Sequence, residues 1–145
     1  MKFVNIVRFL GIIPFSMILI TGCIDTSSQP VVVITPVDGS MIFFNESDNG
    51  KAFDIPRNTE FFVNLTESFA TGTKWHPNVS SGLELLDDSY YADPKSVRPD
   101  IGGTRSWKLR ATGTGHQSFQ ADFYQFSDSD KVQQRYTLTL KIRPG

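Results

Sequence analysis

The chain has 145 residues, 39% of them hydrophobic, and a formal net charge of −1. That is room for one domain with one core, and the balanced charge argues against a surface built to bind nucleic acid. The only cysteine is Cys23, which excludes an internal disulfide and any metal site needing several thiolates.

Lys2 and Arg8 precede an apolar run over 9–20. The run is shorter than the ~20 residues of a membrane-spanning helix. A basic segment followed by a short apolar one reads instead as a secretory signal peptide. It ends in Leu19-Ile20-Thr21-Gly22-Cys23, which resembles the prokaryotic lipobox. That resemblance implies cleavage before Cys23 and a lipid on Cys23. The exported domain would then be held in the cell envelope, on the outer side of the cytoplasmic membrane. The alternative is an ordinary signal peptide with an unrelated cysteine. Residues 1–22 are thus expected to be the signal peptide, 23–36 a tether, and 37–145 the folded domain. Within the tether, 31–34 is either a first edge strand or an extended arm.

The rest of the chain reads as short strands. Residues 41–44 are apolar, and 45–50 are turn material ending in Asn49-Gly50, a strong hairpin dipeptide. A strand is expected over 51–55 and a turn over 56–58. Over 61–65, Phe61, Val63 and Leu65 share one face and Phe62 and Asn64 the other, the period of a half-buried strand. The small residues of Ser68-Phe69-Ala70-Thr71-Gly72 interrupt it before a strand over 73–75, whose Trp75 is a candidate core anchor. A short strand is expected over 82–86, with Tyr90-Tyr91 packing locally. The stretch 92–103 holds Pro94, Pro99, Gly102 and Gly103 and reads as a long loop. Over 104–111 Trp107, Leu109 and Ala111 share a face; over 116–126 Phe119, Ala121 and Phe123 do; over 135–142 Tyr136, Leu138, Leu140 and Ile142 do. Strands with one apolar face need a second sheet to cover it, so the fold class expected is all-β, an Ig-like β-sandwich of two antiparallel sheets.

Three sequons begin at Asn45, Asn64 and Asn78 and are possible glycosylation sites in an exported chain. Catalytic chemistry is sparse. The lone thiol lies in the lipobox, and His76 and His116 lack metal-ligand spacing. Asp87-Asp88 and Asp128-Ser129-Asp130 read as solvated turns rather than a calcium loop. No serine sits in a nucleophile elbow and no glycine-rich loop opens a helix. The chain is therefore not expected to be an enzyme, nor to carry a cofactor or a metal.

Over 49–142 the domain resembles the chagasin family of cysteine-protease inhibitors, small Ig-like β-sandwiches. Ser68-Phe69-Ala70-Thr71-Gly72, followed by Trp75, sits where the family carries N-P-T-T-G and a nearby aromatic. Asp100-Ile101-Gly102-Gly103-Thr104 sits at its G-x-G-G-T, Ala111-Thr112-Gly113-Thr114 at its A-x-G-T turn, and Tyr124-Gln125-Phe126 at its R-P-W or R-P-F. Arg135-Tyr136-Thr137-Leu138 resembles its last strand. Thr71 and Gly72 are kept from the first motif, Asp100 replaces the first Gly of the second, and Phe126 alone is kept from the third. The resemblance implies a reversible, steric inhibitor of papain-like cysteine proteases, expected to be a monomer. Three loops at one end of the sandwich would fill the enzyme cleft, with Thr71 and Gly72 central, Gly102 and Gly103 in the second loop, and Phe126 an aromatic anchor in the third. The alternative is an Ig-like surface or envelope module that keeps the fold without the inhibition.

Overall fold

The structure is a computed structural model that describes residues 30–35, 40–68, 70, 72–98, 102–125, 127–128 and 131–145. Alternation of apolar and polar residues becomes strand along almost all of it. The strands are β1 (Val31–Val33), β2 (Ile42–Phe44), β3 (Ala52–Pro56), β4 (Glu60–Glu67), β5 (Thr73–Val79), β6 (Leu83–Ala92), β7 (Gly103–Ala111), β8 (Gly115–Gln125) and β9 (Gln134–Arg143). One 3-10 turn, Glu46–Asp48, lies between β2 and β3.

The strands form two layers. One sheet has the order β1-β3-β9-β8-β5 and the other β2-β4-β7-β6. Their inner faces supply the core: Phe44, Phe61, Val63, Leu65, Trp107 and Leu109 from one, and Ile55, Trp75, Phe119, Tyr136, Leu138 and Leu140 from the other. The chain is thus the β-sandwich that the alternation implies. The sheets are mixed, however, rather than purely antiparallel. β1 with β3, β3 with β9, and β2 with β4 run parallel. The remaining ladders, β4 with β7, β6 with β7, β5 with β8 and β8 with β9, are antiparallel.

Several local expectations are corrected. Asn49-Gly50 does not close a hairpin, because β2 and β3 lie in different sheets. Asn49 has φ −56° and ψ 129° and Gly50 has φ 77°, and Lys51 N–H donates to the Asp48 carbonyl at 3.1 Å. That is a type II turn, which carries the chain across the sandwich. The Asn49 amide is used on β9, accepting from Thr137 N–H at 2.8 Å and donating to the Arg135 carbonyl at 3.1 Å. β5 runs on through Pro77, which an edge strand tolerates because one side of its backbone has no ladder to complete. β6 runs on through Tyr91 to Ala92, so Asp87 and Asp88 are strand residues and not turn residues. A bulge between Leu85 and Asp87 shifts the register by one. Asp88 then lies opposite Trp107 and Tyr90 opposite Arg105. A one-residue slip of this kind exchanges the faces of a strand.

Candidate functional site

Three connections meet at one end of the sandwich. Glu67 at the end of β4 is in register with Gly103 at the start of β7, and Gly103 with Ala92 at the end of β6. In the other sheet Thr73 at the start of β5 pairs with Gln125 at the end of β8, and Phe123 with Gln134 at the start of β9. The 68–72, 93–102 and 126–133 connections therefore leave from the same edge. The first bridges the two layers, because β4 and β5 belong to different sheets. The opposite end is closed by the Gln117 side chain, whose Oε1 accepts from Ser80 Oγ at 2.6 Å and Gly82 N–H at 3.0 Å.

Of the residues singled out in the sequence, Gly72, Gly102 and Gly103 are placed at this end, while Thr71 and Phe126 lie outside the described residues. Gly72 has φ 66° and Gly102 φ 78°, the left-handed region in which glycine avoids a steric penalty. A Cβ on either would meet nothing within 4 Å. The space beside each α-carbon is open to an approaching partner. Gly103 differs. A Cβ there would lie 2.3 Å from Tyr90 Oη and 2.6 Å from the Tyr91 carbonyl. The missing side chain at Gly103 makes room inside the molecule, and the Tyr90 hydroxyl uses it to donate to the Gly102 carbonyl at 3.1 Å. The first and second connections touch directly, Gly102 N–H donating to Ser68 Oγ at 3.3 Å. In the third, Gln133 N–H donates to the Phe123 carbonyl at 2.8 Å and Asp128 N–H to the Gln125 carbonyl at 3.1 Å. A cleft of about 340 Å³ between the first and third connections is lined by Ser68, Thr73, Phe123, Gln125 and Gln133, among others.

Beneath the first connection lies a buried ionic cluster that the strand reading missed. The Glu67 side chain is fully buried and the Arg105 side chain is 9% exposed. Arg105 Nε and Nη2 donate to Glu67 Oε1 at 3.2 and 3.0 Å, and Arg105 Nη1 donates to Asp88 Oδ1 at 2.9 Å. Glu67 Oε2 accepts from Trp75 N–H at 2.8 Å, and the Trp75 indole donates to the Thr66 carbonyl at 2.9 Å. The signal was available. Glu67 follows Leu65 by two and Arg105 precedes Trp107 by two, so each charge occupies an inward position of its strand. Val97 on the second connection is exposed, and so is Tyr91 near the end of β6, which was expected to pack locally.

The remaining candidates lie elsewhere. Asn45 caps the 3-10 turn, its Oδ1 accepting from Ser47 N–H at 2.9 Å. Asn64 is half-buried and accepts from Ser106 Oγ at 2.7 Å on the outer face of β4. Asn78 is exposed on β5. His76 stacks on Tyr124 with ring centroids 4.2 Å apart, and His116 is exposed near the start of β8, opposite Lys141. Desolvation, with Lys74 nearby, holds the His76 pKa below its usual range. Asp128 pairs with Lys131 at 3.0 Å. Among the described residues no three His, Cys, Asp or Glu side chains gather as a metal site would require, and no helix is long and apolar enough to cross a membrane. Cys23 lies outside the described residues.

No curated protein matches the chain. Among solved structures, a cysteine protease inhibitor from Entamoeba histolytica superposes with a TM-score of 0.61 at 14% identity, covering 80% of this chain and 100% of its own. Amebosin superposes with a TM-score of 0.62 at 21% identity, covering 72% of this chain and 100% of its own. Likeness at such identities speaks for the fold. Residues 54–142 match the model described as chagasin family peptidase inhibitor I42, a stretch that runs from β3 to β9 and includes all three connections of the candidate site. The chain belongs to the chagasin family, whose members are protease inhibitors and not enzymes.

Proposed function

We propose that the domain inhibits papain-like cysteine proteases reversibly, by seating its three-loop end in the active-site cleft. The observation that carries this reading is the convergence of the 68–72, 93–102 and 126–133 connections on one edge of the sandwich, in a chain of an inhibitor family. Thr71 and Gly72 form the central tip, where a small side chain and a bare backbone let the enzyme surface come close. Gly102 and Gly103 hold the second loop, Gly102 facing outward and Gly103 making room for Tyr90. Phe126 is the aromatic anchor of the third, a residue type that tends to dominate interface energy. Loops fixed by a β-scaffold lose little freedom on docking, so a modest area can bind tightly. The block is steric and needs no bond to the catalytic thiol.

We propose further that the domain is exported and held as a monomer at the outer face of the cytoplasmic membrane by a lipid on Cys23. The basic and apolar segments before that cysteine support this placement. Asn45, Asn64 and Asn78 are proposed glycan acceptors if the host glycosylates asparagine, and Asn45 and Asn78 are the exposed ones.

The test is a titration of residues 24–145, which contain both sheets, against papain and several cathepsin-like proteases. Tight, saturable and reversible loss of activity is expected. A folded domain with no effect at high micromolar concentration overturns the reading. It would leave the second one, a non-inhibitory surface or envelope module. That reading draws its support from the missing Arg and Pro in Tyr124-Gln125-Phe126.

A further inference from the structure

Glu67 and Arg105 sit below the proposed inhibitory loops without being part of them. The 68–72 connection passes from one sheet to the other, so the spacing of its ends depends on what joins the layers at that point. Among the described residues, Trp75 of β5 makes two hydrogen bonds that do so. Trp75 N–H reaches Glu67 Oε2 at 2.8 Å and the Trp75 indole reaches the Thr66 carbonyl at 2.9 Å. The other oxygen of Glu67 accepts both Nε and Nη2 of Arg105. Arg105 stands two residues after Gly103, at the exit of the second loop, and its third nitrogen holds Asp88 on β6, the strand that leads into that loop. One carboxylate thus ties together the roots of the first and second loops.

A buried ion pair is a poor source of net stability. Its desolvation cancels most of the attraction, and well-packed apolar residues in its place are often neutral or better. What such a pair supplies is direction, since a guanidinium fork meets a carboxylate in one plane and at fixed distances.

We propose that Glu67 and Arg105 are positioning residues that fix the separation and angle of the first two loops, so that the inhibitory edge is formed before the protease arrives. This inference rests on the reading that those loops enter a protease cleft. Binding then avoids the cost of ordering the loops. Lysine at 105 would not serve, because an ammonium lacks the fork that reaches Glu67 and Asp88 together.

The test compares residues 24–145 with E67L/R105M and E67Q by three readouts: thermal midpoint, amide exchange at Gly72, Thr73 and Trp75 in the free domain, and the inhibition constant against papain. E67L/R105M is expected to stay folded, since apolar replacement of a buried pair is often neutral, with a midpoint lowered only by the loss of the acceptor for Trp75 N–H. Its amides at those three positions should exchange at least about tenfold faster and its inhibition constant should rise about tenfold or more. Parent-like exchange or parent-like inhibition in the folded double variant overturns the proposal. Should that variant fail to fold, E67Q, which keeps the size and an acceptor for Trp75, decides by the same two readouts. If the parent itself does not inhibit, the proposed function fails, and amide exchange alone still decides whether the pair holds the loop roots.

Discussion

Gly72, Gly102 and Gly103 look alike in the sequence and have different tasks. At Gly72 a side chain would meet nothing within 4 Å, so its cost to the fold is the left-handed backbone alone, ~1–2 kcal/mol. Gly72→Arg should therefore stay folded by circular dichroism. It would place an unpaired guanidinium in the protease interface, at ~3 kcal/mol or more, and inhibition should weaken about a hundredfold or more. Unaltered inhibition would show that this loop is not the central contact. Gly103→Ala should behave in the opposite way. Its methyl group would run into Tyr90 Oη at 2.3 Å and the Tyr91 carbonyl at 2.6 Å, and the backbone oxygen cannot swing aside. Denaturant unfolding should show a loss of ~1–3 kcal/mol, the usual cost of overpacking. His76 makes stability depend on pH. Desolvation is the main cause of its lowered pKa, with Lys74 adding and Glu67 opposing. Its Nε2 is buried without a hydrogen-bond partner, so a proton placed there finds no acceptor. The folded pKa lies below the unfolded value near 6.5. The unfolded state then binds more protons as pH falls through that range, and the stability present above it is lost on acidification. Thermal midpoints measured from pH 7 to pH 5 should fall more steeply for the parent than for His76→Asn; equal slopes would refute the assignment.

Strands were legible wherever one face is apolar. Phe61, Val63 and Leu65 on β4, and Tyr136, Leu138, Leu140 and Ile142 on β9, are buried as their alternation requires. Leu65→Ala should cost ~2–5 kcal/mol in denaturant unfolding, the range for a fully buried leucine. The ends of strands were less legible, because they depend on partners and not on composition. β5 continues through Pro77 only because it is an edge, and β6 continues through Tyr91 only because a bulge re-registers it on β7. Parallel pairing of β1, β2 and β3 was invisible, since alternation does not record strand direction. The connections of the candidate site were legible as two glycine-bearing stretches and a third rich in Ser and Asp. Its internal bonds were not: Gly102 N–H meets Ser68 Oγ across 34 residues, and a period of two does not encode such a meeting. Glu67 and Arg105 were the recoverable omission, being charges at inward positions of otherwise apolar stripes.

At the scale of the whole molecule the sandwich separates two jobs. At one end the 80–82 and 112–114 turns close around Gln117, and the other carries the 68–72, 93–102 and 126–133 connections. Cys23 precedes β1, so a lipid there would tether the domain through the segment before its first strand. Cys23→Ser in the full-length chain should move the protein from the membrane fraction to the soluble fraction in a fractionation experiment; unchanged retention would remove the lipid assignment. The most direct test of the central claim is a difference map of hydrogen–deuterium exchange, with and without papain. Protection should appear over 68–73, 93–103 and 125–133 and be absent over 79–83 and 112–115 at the far end. Protection at the far end or on an outer sheet face, or no protection at saturating enzyme, would contradict the account.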